Sequence, residues 1–175
     1  MNIVWFKRDL RIEDHAAFTQ AGKVGPVLPF YIFEPELWQQ PDISHRHYFF
    51  LQDCLAELDQ SLIRIGQKLI LKIGDVVDVL DEIRQRHDIE ALWSHQETWN
   101  GWTYERDKAV KRWCKSYNIQ WHEPTQNGVA RYLQNRDGWA ARWYYQMKQP
   151  VLNTPTHLEG IKEHSEVIPT ASELG

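Results

Sequence analysis

An α/β fold on a five-stranded parallel sheet is predicted by two features of this chain. Five short apolar runs recur along the sequence, and a segment of helical period or helix-capping character separates each run from the next. Short apolar strands joined through helices belong to a parallel sheet covered on both faces. Right-handed crossovers then give a doubly wound, Rossmann-like three-layer sandwich.

The first run, Asn2 to Phe6, is rich in strand formers. Asp14 is a good N-cap for a helix reaching about Ala21, and Gly22 is a good stop. Residues 26–33 (PVLPFYIF) read as a second, buried strand. Ser44 caps the next helix, where Tyr48, Leu51, Leu55, Leu58, Leu62 and Ile65 recur at helical spacing before Gly66 ends it. Leu69 to Ile73 is a third strand, and Asp75 caps a helix with Val76, Leu80, Ile83 and His87 on one side. Ala91 to His95 is the fourth strand. Asn100 then caps a helix through Trp102, Ala109, Val110, Trp113 and Tyr117 that stops at Asn118, and Ile119 to His122 is the fifth strand. Beyond it the regularity fades. One helix is expected from Gly138 to Lys148, carrying Trp139, Trp143, Tyr144 and Met147. The last residues are polar, include Pro155 and Pro169, lack an amphipathic period and read as an irregular tail. The expected division is an α/β domain over 1–125 and a linker segment over 126–175.

Composition narrows the function classes. The chain has 175 residues, 42% hydrophobic and 25% charged, an ordinary balance for one globular domain. A formal net charge of -4 gives no electrostatic footprint for nucleic acid on this piece. Cys54 and Cys114 fall on predicted helices outside any metal spacing and read as reduced core thiols. His45 and His47, two apart on one helix, face different directions and do not read as a metal pair. There is no signal peptide and no apolar run approaching the roughly 20 residues that span a bilayer, so a cytoplasmic location is expected. The 9 tryptophans read first as core packing and second as stacking surfaces for a flat ligand.

In an open parallel sheet, ligands bind beyond the carboxyl ends of the strands, where the strand order reverses. The segments at issue are Lys7 to Asp14, Glu34 to Arg46, Gly74 to Asp75 and His95 to Trp102. The first holds Lys7-Arg8-Asp9-Leu10-Arg11 where a dinucleotide fold would place three glycines, which argues against an ordinary NAD site. A Walker loop, a nucleophile elbow and a His-Glu-x-x-His helix are also absent.

The order of residues in that turn carries a resemblance. VWFKRDLRIED, residues 4–14, resembles the opening of the photolyase/cryptochrome family, which usually reads close to VWFRRDLRxxDN. Phe30 to Phe33 resembles the family's second strand. Ser44-His45-Arg46 with Phe50-Leu51 is similar to its Ser-x-x-Arg-x-x-Phe-Leu helix with a one-residue shift, and Gly66 and Gly74-Asp75 match glycines flanking its third strand. The resemblance covers roughly residues 1–125. Lys7 stands where arginine is usual and His15 where asparagine is usual. After the fourth strand, many members have Tyr-Glu followed by Arg-Asp; here Glu97 is the counterpart of that glutamate, with Arg106-Asp107 further on.

The resemblance implies an N-terminal α/β domain that pairs with a larger helical domain. That helical domain binds FAD, carries the tryptophan electron-transfer chain and receives the DNA lesion. The α/β domain in many members holds a second pigment: a folate, a deazaflavin or a flavin. This chain ends at Gly175 before such a helical domain, so no photorepair by the chain alone and no catalytic residue are expected. Contact with DNA is expected only through that domain, and neither metal nor membrane partners are expected. Phe6, Phe33 and Trp38 are candidate pigment walls, and Arg46, Arg8 and Glu97 candidate anchors. Trp93, Trp113 and Trp121 are expected in the core, and Trp139 and Trp143 on a linker helix or facing the other domain. The parent reads as a deoxyribodipyrimidine photolyase. The alternatives are a cryptochrome photoreceptor, a stand-alone nucleotide-binding domain of the same fold, and a scaffold that binds nothing.

Overall fold

A computed structural model describes residues 1–131, 133 and 135–174. The strands are β1 (Asn2–Phe6), β2 (Val27–Phe33), β3 (Ile70–Ile73), β4 (Ala91–Trp93) and β5 (Gln120–His122). They pair in the order β3-β2-β1-β4-β5, and every pairing is parallel. The helices are α1 (Ala16–Val24), α2 (Pro35–Trp38), α3 (His45–Ile63), α4 (Val76–Arg86), α5 (Gly101–Ser116), α6 (Trp139–Met147) and α7 (Ala171–Leu174). The doubly wound α/β sandwich is therefore present. Winding reverses between β1 and β4, which sets the crevice of the fold there.

β1 and β2 are buried along their whole length, so they read as apolar runs with no alternation. Their side chains still divide by parity. Val4, Phe6, Val27, Tyr31 and Phe33 pack under α1 and α3, whereas Ile3, Trp5, Leu28, Phe30 and Ile32 pack under α4 and α5. Trp93 and Trp113 are buried and Trp121 is partly buried, all in these two layers. Cys114 is buried, while Cys54 is half-buried on α3.

Several boundaries differ from the expectation. His15, not Asp14, caps α1: its Nδ1 accepts the Phe18 amide at 3.0 Å. Asp14 instead sits in a left-handed turn (φ 46°) and accepts the Leu152 amide at 2.9 Å. Gly22 does not stop α1, which runs on to Val24. It is glycine because a Cβ there would lie 2.7 Å from Leu158 Cδ2. Asp75 and Asn100 cap α4 and α5 as read, accepting Val77 N–H at 2.7 Å and Thr103 N–H at 3.0 Å. α2 was not anticipated, because four residues are too few to show a period. α6 falls inside the predicted 138–148 and has no buried residue, with Trp139 41% and Trp143 37% exposed.

The tail is irregular apart from α7, but it is seated on the domain. Leu158 N–H donates to Ile65 O at 2.9 Å, Gly160 bridges to Val27, and Leu158 and Leu174 are buried in the α1–α3 core. Glu166 N–H reaches Leu71 O at 2.9 Å and Leu71 N–H reaches Ser165 Oγ at 3.0 Å, so the free edge of β3 is covered. Glu163 fastens this strap. Its carboxylate meets Lys72 Nζ at 3.2 Å, Arg86 Nη2 at 2.7 Å and His87 Nε2 at 2.7 Å. The side chains of Lys72 and Glu163 are only 1% and 3% exposed. Burial opposes the charge of Glu163, but His87 and Lys72 hold its carboxyl below the usual range.

Replacing Glu163 with Ala strands Lys72 under the tail and is expected to cost about 3 kcal/mol in urea unfolding, while the paired change Lys72→Met with Glu163→Leu recovers most of it. Because the folded carboxyl is depressed, its contribution is complete above the ordinary glutamate pKa and is lost as pH falls through the lowered value. The variant and wild-type midpoints should therefore converge in acid.

Candidate functional site

A cavity of about 500 Å³ opens at the carboxyl ends of β1 and β2, beside the loop that follows β4. That is within the size range of small-molecule sites, about 300–1,000 Å³. Phe6, Tyr31, Leu37, Trp38, Phe50 and Leu51 supply apolar wall, and Lys7, Arg8, Glu34, Glu97 and Arg106 supply charge.

The charges are organised around Arg106. It projects from α5, is 7% exposed, and donates to Glu34 Oε2 at 2.9 Å, to Asp107 Oδ1 at 2.9 Å and to Glu97 Oε2 at 3.3 Å. Its guanidinium lies 4.6 Å from the centre of the Trp5 ring. Burial works against its charge, but Glu34, Asp107 and Glu97 more than offset that and raise its pKa. Glu34, at the exit of β2, is the converse case: burial pushes its carboxyl up to about 7 against the pull of Arg106. Lys7 Nζ sits 4.8 Å over Trp5 and 3.7 Å from Asp107, and burial lowers its pKa. Arg8 is at the mouth, 4.4 Å over the Trp99 ring and 4.0 Å from Glu97.

Asp9 ties the two sides of the switch point together. Its Oδ1 accepts Lys7 N–H at 3.0 Å, and its Oδ2 lies 2.6 Å from His95 Nδ1 and 2.8 Å from His15 Nε2. All three side chains are buried. Burial alone would raise the Asp9 carboxyl, yet the two histidines hold it well below the usual range. His15 is lowered by burial. The trio has the composition of a metal site, with its ligand atoms within 4.8 Å of one another. Proton placement opposes that use. His15 Nδ1 accepts the Phe18 amide, so the neutral ring carries its hydrogen on Nε2, the atom that faces Asp9.

Of the residues singled out from sequence, Phe6, Arg8, Glu97 and Trp38 line the cavity. Phe33 is fully buried in the α1–α3 core, packed edge-on to Tyr31 at 5.1 Å, and is not part of the lining. Arg46 is exposed on the first turn of α3 and is not part of the lining either. The α3 residues that are lie one turn face away: His47, Phe50, Leu51 and Cys54. His47 Nδ1 also accepts the Ser44 amide at 3.1 Å, closing the helix start.

Glu34, Lys7 and Arg106 were not singled out as site residues. Their signal was present: Glu34 directly follows an apolar strand, and Arg106 stands four residues before Val110 on the buried stripe of its helix.

Replacing Arg106 with Lys, whose ammonium cannot bridge three carboxylates, is expected to destabilise the domain by about 3 kcal/mol in denaturant unfolding. Asp9→Asn should cost a similar amount near neutral pH. With the folded Asp9 carboxyl depressed, that difference holds above the ordinary aspartate pKa and shrinks as pH falls through the lowered value.

The family model described as DNA photolyase matches residues 2–159. The deoxyribodipyrimidine photo-lyase of Synechococcus is 24% identical, over 99% of this chain and 40% of its own length. Cryptochrome-1 of Arabidopsis thaliana is 34% identical over 54% of this chain and 14% of its own. Among solved structures, a class III photolyase from Agrobacterium tumefaciens superposes with a TM-score of 0.78 at 24% identity, over 95% of this chain and 37% of that one. An archaeal photolyase from Sulfolobus tokodaii, described with two FAD molecules and a novel light-harvesting cofactor, gives 0.72 at 20% identity, over 99% of this chain and 41% of that one. This chain thus spans less than half the length of each of these proteins. With its family motifs seated at the switch point of a doubly wound sheet, the chain belongs to the DNA photolyase family.

Proposed function

We propose that this chain is the N-terminal light-harvesting or scaffold domain of a photolyase-type flavoprotein, with a pigment held at the switch-point cavity. The observation that carries this reading is the cavity: about 500 Å³, at the carboxyl ends of the strands, walled by aromatic and aliphatic side chains and furnished with a few fixed charges. When bound, a folate, deazaflavin or flavin would supply absorption of blue or near-ultraviolet light.

The chain's own residues bind and orient. Trp38 and Phe50 offer flat apolar surface with Phe6 buried behind the wall, Arg106 fixes Glu34 and Glu97, and Arg8 stacked on Trp99 stands at the entrance. Arg46, exposed at the first turn of α3, is suited to a charged pigment tail leaving the mouth, and Phe33 acts from within the core through Tyr31, which lines the cavity.

In this reading residues 126–175 form the linker to a helical FAD-binding domain, and DNA is reached through that domain. Blue-light-driven repair of pyrimidine dimers is then the activity of the whole protein. The cryptochrome alternative draws on the 34% identity to the Arabidopsis protein. No helix among the described residues is long and apolar enough to cross a membrane.

The test is titration of the purified chain with FMN, FAD, folate and a deazaflavin, read by absorbance and fluorescence. One pigment should saturate at one equivalent, and Ile43→Trp, which fills the cavity from its wall, should abolish binding. Arg46→Ala should weaken FMN several-fold and leave riboflavin unchanged. Absence of binding by all four would leave the scaffold reading alone.

A further inference from the structure

A histidine that caps a helix through a ring nitrogen has its proton fixed by the cap. His15 stands fully buried at the head of α1, and its Nδ1 accepts the Phe18 amide at 3.0 Å. Only a bare ring nitrogen accepts an amide, so the neutral ring carries its one hydrogen on Nε2. That atom lies 2.8 Å from Asp9 Oδ2 without the alignment of a hydrogen bond. The same oxygen takes its aligned contact from His95 Nδ1 at 2.6 Å. A second proton on His15 has only Nδ1 to occupy, where it would meet the Phe18 N–H donor to donor, away from water.

We infer that His15 is an acid-operated release for the rim of the cavity: on gaining a proton it must let go of the first turn of α1 and, with it, of the turn that follows β1. The device needs no ligand in the cavity. The turn after β1 supplies Lys7, Arg8, Leu10 and Arg11 to the lining. Asp9 holds that turn from inside, accepting Lys7 N–H at 3.0 Å on Oδ1 while Oδ2 serves both imidazoles. His95 in turn leads through the loop after β4 to Glu97, which also lines the cavity. One carboxylate thus joins the head of α1, the turn after β1 and the loop after β4. His15 is the member of the clasp whose next proton has no acceptor to meet.

The charged or titratable groups that face His15 are Asp9 and Arg11 from the turn after β1 and His95 from beyond β4. Phe6 on β1 and Phe18 on α1 pack against the ring without charge, at 4.9 and 6.3 Å between centroids. Burial opposes the charged ring most, Asp9 pulls the other way, and His95 and Arg11 side with burial; the balance lowers the His15 pKa. Once released, the ring returns to the ordinary histidine value of about 6.5. Release is therefore coupled to uptake of one proton. The clasp is complete above the ordinary histidine pKa and weakens as pH falls from there to the lowered value. Asp9, held well below the usual carboxylate range against its burial, keeps its charge throughout mild acid.

The experiment follows amide hydrogen exchange in the full chain by NMR from about pH 6.5 downward, as protection factors at Phe18 and Lys7. Ile119, whose amide donates to Cys114 O at 2.9 Å in the opposite layer, is the reference. Protection at Phe18 and Lys7 should fall by about tenfold per pH unit, the slope of one proton, while Ile119 holds steady. His15→Asn supplies a capping oxygen that does not titrate and should flatten both profiles. The ring nitrogens of His15 give a second readout in the unmutated chain, should the variant fold poorly. Their chemical shifts should show Nδ1 bare and Nε2 protonated, and still so below the ordinary histidine pKa while protection at Phe18 is already falling. A flat profile in the unmutated chain, an equal fall at Ile119, a slope that survives His15→Asn, or an Nδ1 already protonated at neutral pH would each overturn the release. A slope that survives His15→Asn and vanishes in His95→Gln would overturn it in favour of the other ring.

Discussion

The burial of one arginine among three carboxylates at the carboxyl ends of the sheet is the constraint on which this domain's architecture turns. Arg106 reaches from α5 to Glu34 at the end of β2 and to Glu97 in the loop after β4, with Asp107 beside it. A charge so placed is tolerated only while every partner is in register, because an unpaired buried ion costs several kcal/mol. The network therefore fixes where β2 stops, how the β4 loop turns and how α5 leans over the crevice. Asp9 repeats the device on the other side of the switch point, joining the turn after β1 to His95 after β4. A glycine-rich phosphate loop would leave the same place open to backbone contact with a ligand. Here it is filled by side chains, which leave a cavity of about 500 Å³ beside them.

How much of this was legible in the sequence follows from what each residue's burial depends on. The five strands and the caps at Asp75 and Asn100 were readable because their signal is local: an apolar run, or a carboxylate or amide before a helical period. The start of α1 was misplaced by one residue because a histidine ring nitrogen does the capping, and Gly22 misled because its reason is the distant Leu158. The tail has no period because it is seated by edge pairing, by single buried side chains such as Leu158, and by Glu163 rather than by an amphipathic face. On α3, Arg46 and His47 differ by one position, yet one step is about 100° around a helix, and only His47 faces the cavity. The Glu34–Arg106 pair, 72 positions apart, has no local signature beyond a charge set in each apolar context.

Among the described residues, α6 carries an exposed aromatic surface, with Trp139, Trp143, Tyr144, Tyr145 and Met147 all substantially exposed. Nearby, Gly128 lets the Trp143 indole approach so closely that a Cβ would clash with it. The tail and the cavity are also mechanically joined. Pro169 holds Tyr48, Tyr48 braces Trp38, and α7 packs beside α2, so the strap along β3 helps to set the cavity's outer wall.

The central claim, that the switch-point cavity is a site for a flat pigment, is tested most directly by following the indole N–H resonances of the 9 tryptophans during titration with FMN. Trp38, whose indole nitrogen has no partner, and Trp99 under Arg8 both line the cavity, whereas Trp113 lies in the opposite layer. The account predicts saturable shifts of the Trp38 and Trp99 resonances with Trp113 unmoved. Shifts confined to Trp139 and Trp143, or no shifts at all, would contradict it.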